Sequence, residues 1–121
     1  NAIGDTDIEG NWIELLFHEA GHHLILSRSY FVGGTILDVA EVMNVKAPRQ
    51  LWHAYLFYFT GQLTKQLLSK IDMEYDRIYM ERNKVFSRYY PFLDEHLKSY
   101  MKRDITLNEA TRLIIEDLNN P

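Results

Sequence analysis

Apolar residues recur at helical spacing through residues 11–28. Trp12, Leu15, Leu16, Ala20 and Leu24 supply the recurring contacts and predict a helix. The polar, Gly-containing stretch 3–10 before it reads as a loop, with Asp7 or Asn11 as an N-cap. The pattern changes over Tyr30–Val45. Phe31-Val32-Gly33-Gly34-Thr35-Ile36 predicts extended chain with a Gly-Gly turn, and Leu37–Met43 fits either a short helix or an irregular loop. Pro48 suits the first turn of a second helix running to about Ile71. Its middle, Leu51–Phe59, is apolar almost all round and is expected to be buried. Residues 73–90 predict a charged, Tyr-rich amphipathic helix, interrupted by Pro91 and followed by another to about Arg103. Thr106-Leu107-Asn108-Glu109 is a capping box that opens a last helix through Leu118. The pattern predicts a mainly α domain of about five helices with one short extended Gly-Gly segment.

Composition narrows the chemistry. The chain has 121 residues, 46% of them hydrophobic and 25% charged, which is the balance of a single globular domain. Asn1-Ala2 reads as the remnant of a cleaved expression tag, and residues 3–121 as one helical domain of a trimmed chain. No run of eighteen apolar residues occurs, so no transmembrane helix is expected in this sequence. The net charge of −4 argues against a general nucleic-acid binder. Cysteine is absent, which excludes disulfides, thiolate metal sites and a Cys nucleophile. That composition leans to a periplasmic or secreted setting over a cytoplasmic one. Any metal must be held by His, Asp or Glu, so the five histidines carry weight.

Residues 18–22 read His18-Glu19-Ala20-Gly21-His22, an H-E-x-x-H pattern on a predicted helix. His18 and His22 lie one turn apart on one face and can share a zinc ion at about 2.0–2.1 Å each. Glu19, rotated about 100° from His18, is placed to touch a water on the metal and not the metal itself. That makes it the natural general base, with zinc lowering the water's pKa toward about 7. Apolar runs flank the motif on both sides, Leu15-Leu16-Phe17 and Leu24-Ile25-Leu26.

This motif resembles the zinc-binding helix of the zincin metallopeptidases. The resemblance implies two His ligands, a catalytic Glu, a third ligand from a downstream helix, and an upstream sheet that aligns peptide substrate. A second resemblance, to uncharacterised bacterial H-E-x-x-H proteins, rests on Leu51-Trp52-His53-Ala54 with Phe57-Tyr58, Gly61, Tyr100 and Thr106–Ala110. In that pattern the residue after the glycine is usually acidic; here it is Gln62.

A catalytic zinc takes three protein ligands and keeps one position open. His53, in the apolar second helix, is the leading third ligand, because a lone buried imidazole there demands a partner. A core histidine bonded to a carbonyl or a tyrosine is the plainer reading. Glu41 is the alternative third ligand, at a spacing from His22 that resembles the Glu-ligand branch of zincins. Glu74 and Asp76 read as an exposed charged face. An Asp ligand further downstream would resemble the membrane-anchored ATP-dependent proteases, but no G-x-x-x-x-G-K-[ST] motif is present. His23 points away from His18, and His96 reads as a surface residue.

Glu14, one turn before His18, is a possible hydrogen-bond partner for it, as are Asp38 and Glu41 from the following segment. Tyr58, Tyr75 and Tyr79 are candidate donors to an oxyanion by residue type. Three functional classes remain open. The first is a zinc-dependent hydrolase of peptide or protein substrates, the second a non-catalytic zincin-like binding or structural module. The third is a helical interaction domain in which the motif is coincidental. Neither the substrate nor the oligomeric state is legible.

Overall fold

The computed structural model describes residues 10–18 and 32–120, and within them the chain is mainly helical with no strand. Six helical segments are present among the described residues. Residues 10–18 form α1. The others are α2 (Val32–Val42), α3 (Leu51–Lys70), α4 (Tyr79–Arg82), α5 (Tyr90–Met101) and α6 (Leu107–Asn119). The helix α6 packs against both α2 and α5, while α3 is flanked by α2, α4 and α5.

The expected extended Gly-Gly segment is not found over residues 32–36, because α2 runs straight through it. The buried residues Val32, Ile36, Val39 and Ala40 recur at i, i+4, i+7 and i+8, a helical period that outweighs the turn preference of the glycines. Gly33 and Gly34 fall in the first turn, where backbone N–H groups have no intrahelical partner in any case.

In α3 the first half is buried nearly all round, through Leu51, Ala54, Tyr55, Leu56, Phe57 and Tyr58, as its composition implies. Beyond it only Thr60, Gly61, Thr64 and Leu68 stay inside. The two buried threonines donate to carbonyls one turn back, Thr60 Oγ1 to Leu56 O and Thr64 Oγ1 to Thr60 O, each at 2.8 Å. The helix starts three residues after Pro48, at a cap residue, Gln50, in the left-handed conformation. Pro48 therefore precedes the helix and is not in its first turn.

Residues 73–90 do not form one helix. Before α5 begins at Tyr90, only Tyr79–Arg82 is α-helical within them. Asp72, Lys84 and Phe86 all take positive φ and break the run. What holds this stretch is tertiary contact. Tyr75 and Ile78 are buried against two glycines: a Cβ on Gly10 would lie 2.5 Å from the Tyr75 ring, and one on Gly61 would lie 2.8 Å from Ile78 Cβ. The loop is thus inlaid between α1 and α3, and only Gly leaves it room. Pro91 sits at the start of α5, where its missing N–H costs nothing. Thr106 caps α6 by accepting from Glu109 N at 3.1 Å, and its hydroxyl is 3.1 Å from Glu109 Oε1.

Candidate metal centre

The helix α1 ends, within the described residues, on the first histidine of the motif. His18 is buried, with 3% of its surface exposed. His53, on the first turn of α3, faces it, and the two Nε2 atoms are 3.1 Å apart. Two ligands of a tetrahedral zinc at 2.0–2.1 Å lie roughly 3.3 Å from each other. The separation therefore fits two imidazoles aimed at one ion. It also fits a hydrogen bond between two neutral tautomers.

Aromatic rings fix both imidazoles. His18 stacks on Phe57, with centroids 3.9 Å apart, and Phe57 stacks in turn on Tyr79 at 5.8 Å. His53 stacks on Trp52 at 5.0 Å and meets the Phe86 ring edge-on at 5.4 Å. Phe57 lies one turn beyond His53 on α3, so a single helix supplies both a histidine and the surface that orients the other. Such packing restricts rotamers and holds the nitrogens converged.

Behind His18, one turn back on α1, Glu14 is 1% exposed. The possible hydrogen bond from the His18 ring to Glu14 is not made. Its Oε1 accepts from Tyr75 Oη at 2.7 Å and from the Tyr79 backbone N–H at 2.8 Å. Its Oε2 makes no hydrogen bond among the described residues. Burial raises the carboxyl's pKa above the usual range, against the lowering effects of the Tyr75 and Tyr79 hydrogen bonds and of Arg82. Tyr75 Oη also reaches Asn11 Oδ1 at 2.9 Å. Glu14 thus ties α1 to the inlaid loop, and the loop carries Tyr79 onto Phe57.

Of the three tyrosines singled out by type, Tyr58 is engaged elsewhere. It donates to Asp94 Oδ1 at 3.0 Å, and burial drives its pKa up. Tyr75 is committed to Glu14 and Asn11. Tyr79 is left as the tyrosine stacked within the histidine cluster. Glu41 lies exposed near the end of α2, and Asp38 is exposed on the same helix. Neither joins His18 and His53 in a ligand group. Among the described residues the trio of ligand atoms lying within 4.8 Å of one another is Glu95, His96 and Asp117. Glu19, His22 and His23 lie outside the described residues.

That trio corrects the surface assignment of His96. The imidazole is buried, and its Nε2 is 2.6 Å from Asp117 Oδ2, joining α5 to α6. Leu93, His96 and Leu97 share a stripe at i, i+3 and i+4, a signal that places His96 inward. Glu95 stands 3.8 Å from the same nitrogen but is 69% exposed.

One cavity lies away from the two histidines and another beside them. The larger, about 780 Å³, follows the C-terminal half of α3 and residues 72–76; it contains neither His18 nor His53. Gln62 lines it, so the departure from the acidic pattern falls outside the histidine cluster. The smaller, about 430 Å³, is lined by Arg49, Gln50, Phe86, Arg88 and Tyr89 and adjoins His53 through Phe86. Gln50 and Phe86 in its wall are both left-handed, a conformation costing about 1–2 kcal/mol for a residue with a side chain. Among the described residues no helix is long and apolar enough to cross a membrane. No protein-family model, curated protein or solved structure matches the chain.

Proposed function

We propose that this chain is a zinc-dependent peptide-bond hydrolase, with His18, His22 and His53 holding the metal and Glu19 as general base. The observation that carries the reading is the 3.1 Å approach of the His18 and His53 Nε2 atoms. The two are separated by 35 residues, and the helical spacing of the motif does not dictate that they meet. Zinc bound there would polarise the scissile carbonyl and lower the pKa of a water toward about 7.

The chain's own groups have separate tasks. Phe57 and Trp52 keep the two imidazoles stacked with their Nε2 atoms converged. The Glu19 carboxylate takes a proton from the attacking water and returns it to the leaving amine. Tyr79, carried by the Glu14-bound loop, is the tyrosine suited to donate to the carbonyl oxygen as negative charge builds on it.

The test joins metal analysis with cleavage. Zinc-loaded protein should hold one equivalent of zinc and cut a mixed peptide library. Glu19→Gln should keep the zinc while losing at least about a hundredfold in kcat/KM. Failure to retain zinc after loading, or undiminished cleavage by Glu19→Gln, would overturn the assignment.

A further inference from the structure

The cavity beside His53 has a composition that its position does not explain. Two guanidinium side chains, Arg49 and Arg88, line it together with Phe86 and Tyr89, and no carboxylate does. Both arginines are exposed, and neither forms an ion pair with a described residue. They come from two segments, 46–53 and 82–89, that contain five basic and no acidic side chains in a chain whose net charge is −4. The two segments are joined at this place. Tyr89 Oη donates to Arg49 O at 2.7 Å, and the Phe86 ring meets His53. Phe86 and Tyr89 stack on each other at 6.1 Å, and Arg88 lies over the Tyr89 ring at 5.9 Å. A lining that combines two stacked rings with two exposed arginines suits a planar anion carried on an apolar stem. Left-handed backbone at Gln50 and Phe86 holds the wall in a conformation the local chain does not prefer.

We propose that this cavity is a carboxylate-binding subsite, where Arg49 and Arg88 receive a peptide's carboxylate next to the His18–His53 pair. The peptide identity of the ligand rests on the hydrolase reading; the preference for carboxylate rests on the cavity alone. Phe86 is shared between the cavity and the contact with His53, so a peptide anchored there lies alongside the histidines. The carboxylate could be a C-terminus or an acidic side chain, and both present the same planar pair of oxygens to an arginine fork.

The experiment measures binding on zinc-free protein by fluorescence anisotropy at low salt. Three dansyl peptides serve as probes: Ala-Ala-Phe with a free carboxylate, its C-terminal amide, and Ala-Ala-Glu amide. At least one carboxylate probe should bind about tenfold tighter than Ala-Ala-Phe amide, and the arm that does so names the source of the anion. Arg88→Gln and Arg49→Gln should each cut that preference to threefold or less, with Arg88→Lys intermediate because it keeps charge but loses the fork. Folding should be untouched, since both side chains are exposed and the Tyr89 bond goes to the Arg49 backbone; a thermal melt checks this. Equal binding of all three probes, or a preference that survives both glutamine variants, would overturn the subsite. An arginine-dependent preference in a protein that takes up no zinc would keep the subsite and discard the hydrolase. Cleavage without a carboxylate preference would do the reverse.

Discussion

Among the described residues two histidines are buried against a partner from another helix, and the partners differ. His18 meets His53 across α1 and α3, walled by Phe57, Trp52 and Phe86. His96 meets Asp117 across α5 and α6, with Glu95 at the rim. The second has the richer set of oxygen and nitrogen ligand atoms, yet its geometry is already satisfied. An imidazole nitrogen 2.6 Å from a carboxylate is a complete hydrogen bond, and Asp117 and Glu95 remain open to water. In the first region two nitrogen atoms of like kind point at each other inside an aromatic frame. Only one of them can donate, and a shared cation would use both. Under the proposed function the converged pair of imidazoles, and not the cluster richer in ligand atoms, is the metal site.

The largest effect expected from this comparison concerns zinc affinity. His53→Ala should weaken zinc binding by at least about a hundredfold, while His96→Ala leaves it unchanged; competition with a chromophoric chelator measures both. The opposite pattern would transfer the metal to α5 and α6. A smaller effect should appear in stability. His96→Ala removes a charge-assisted link between two helices, but Asp117 is partly exposed and regains water. The cost should be about 1–2 kcal/mol by urea denaturation. A loss below a few tenths would mean that the pair is solvated ornament and that α5 and α6 are held by apolar contact alone.

The same contrast explains what could be read from the chain. The mainly helical class and α6, with its Thr106–Glu109 box, were legible because spacing and capping agree locally. So was the all-round burial at the start of α3. His53 could be singled out because a lone imidazole in an apolar helix needs a partner. The inlaid loop could not. Tyr75 and Ile78 are buried because Gly10 and Gly61, distant in sequence, leave space for them, and that pairing has no local period. His96 could have been placed correctly from Leu93 and Leu97, but Asp117 lies on another helix, so its partner has no signal in the surrounding residues. At Gly33-Gly34 a local turn preference opposes the longer helical period of Val32, Ile36, Val39 and Ala40, and the period prevails.

Glu14 carries the contrast into charge. Asp117 has an imidazole beside it, whereas Glu14 is buried with Tyr75 and Tyr79 on one oxygen and no hydrogen bond on the other among the described residues. Burial, the largest influence, raises its folded-state pKa above the ordinary 4.5. A carboxyl with a raised folded pKa binds more protons folded than unfolded between the two values. Its contribution therefore favours folding at low pH and is lost as pH rises from about 4.5 through the folded pKa. Glu14→Gln keeps an oxygen for Tyr75 and Tyr79 and removes the charge. The variant should match the wild type near pH 4 and gain on it steadily as pH rises, levelling once Glu14 is ionised in the folded protein. Urea midpoints for both proteins across that range read the difference directly. A constant offset would show the Glu14 pKa to be the same folded and unfolded, and a variant that falls behind as pH rises would show the carboxylate to be stabilised where it lies. The bonds from Tyr75 and Tyr79 that tie the loop to α1 would then be charge-assisted ones.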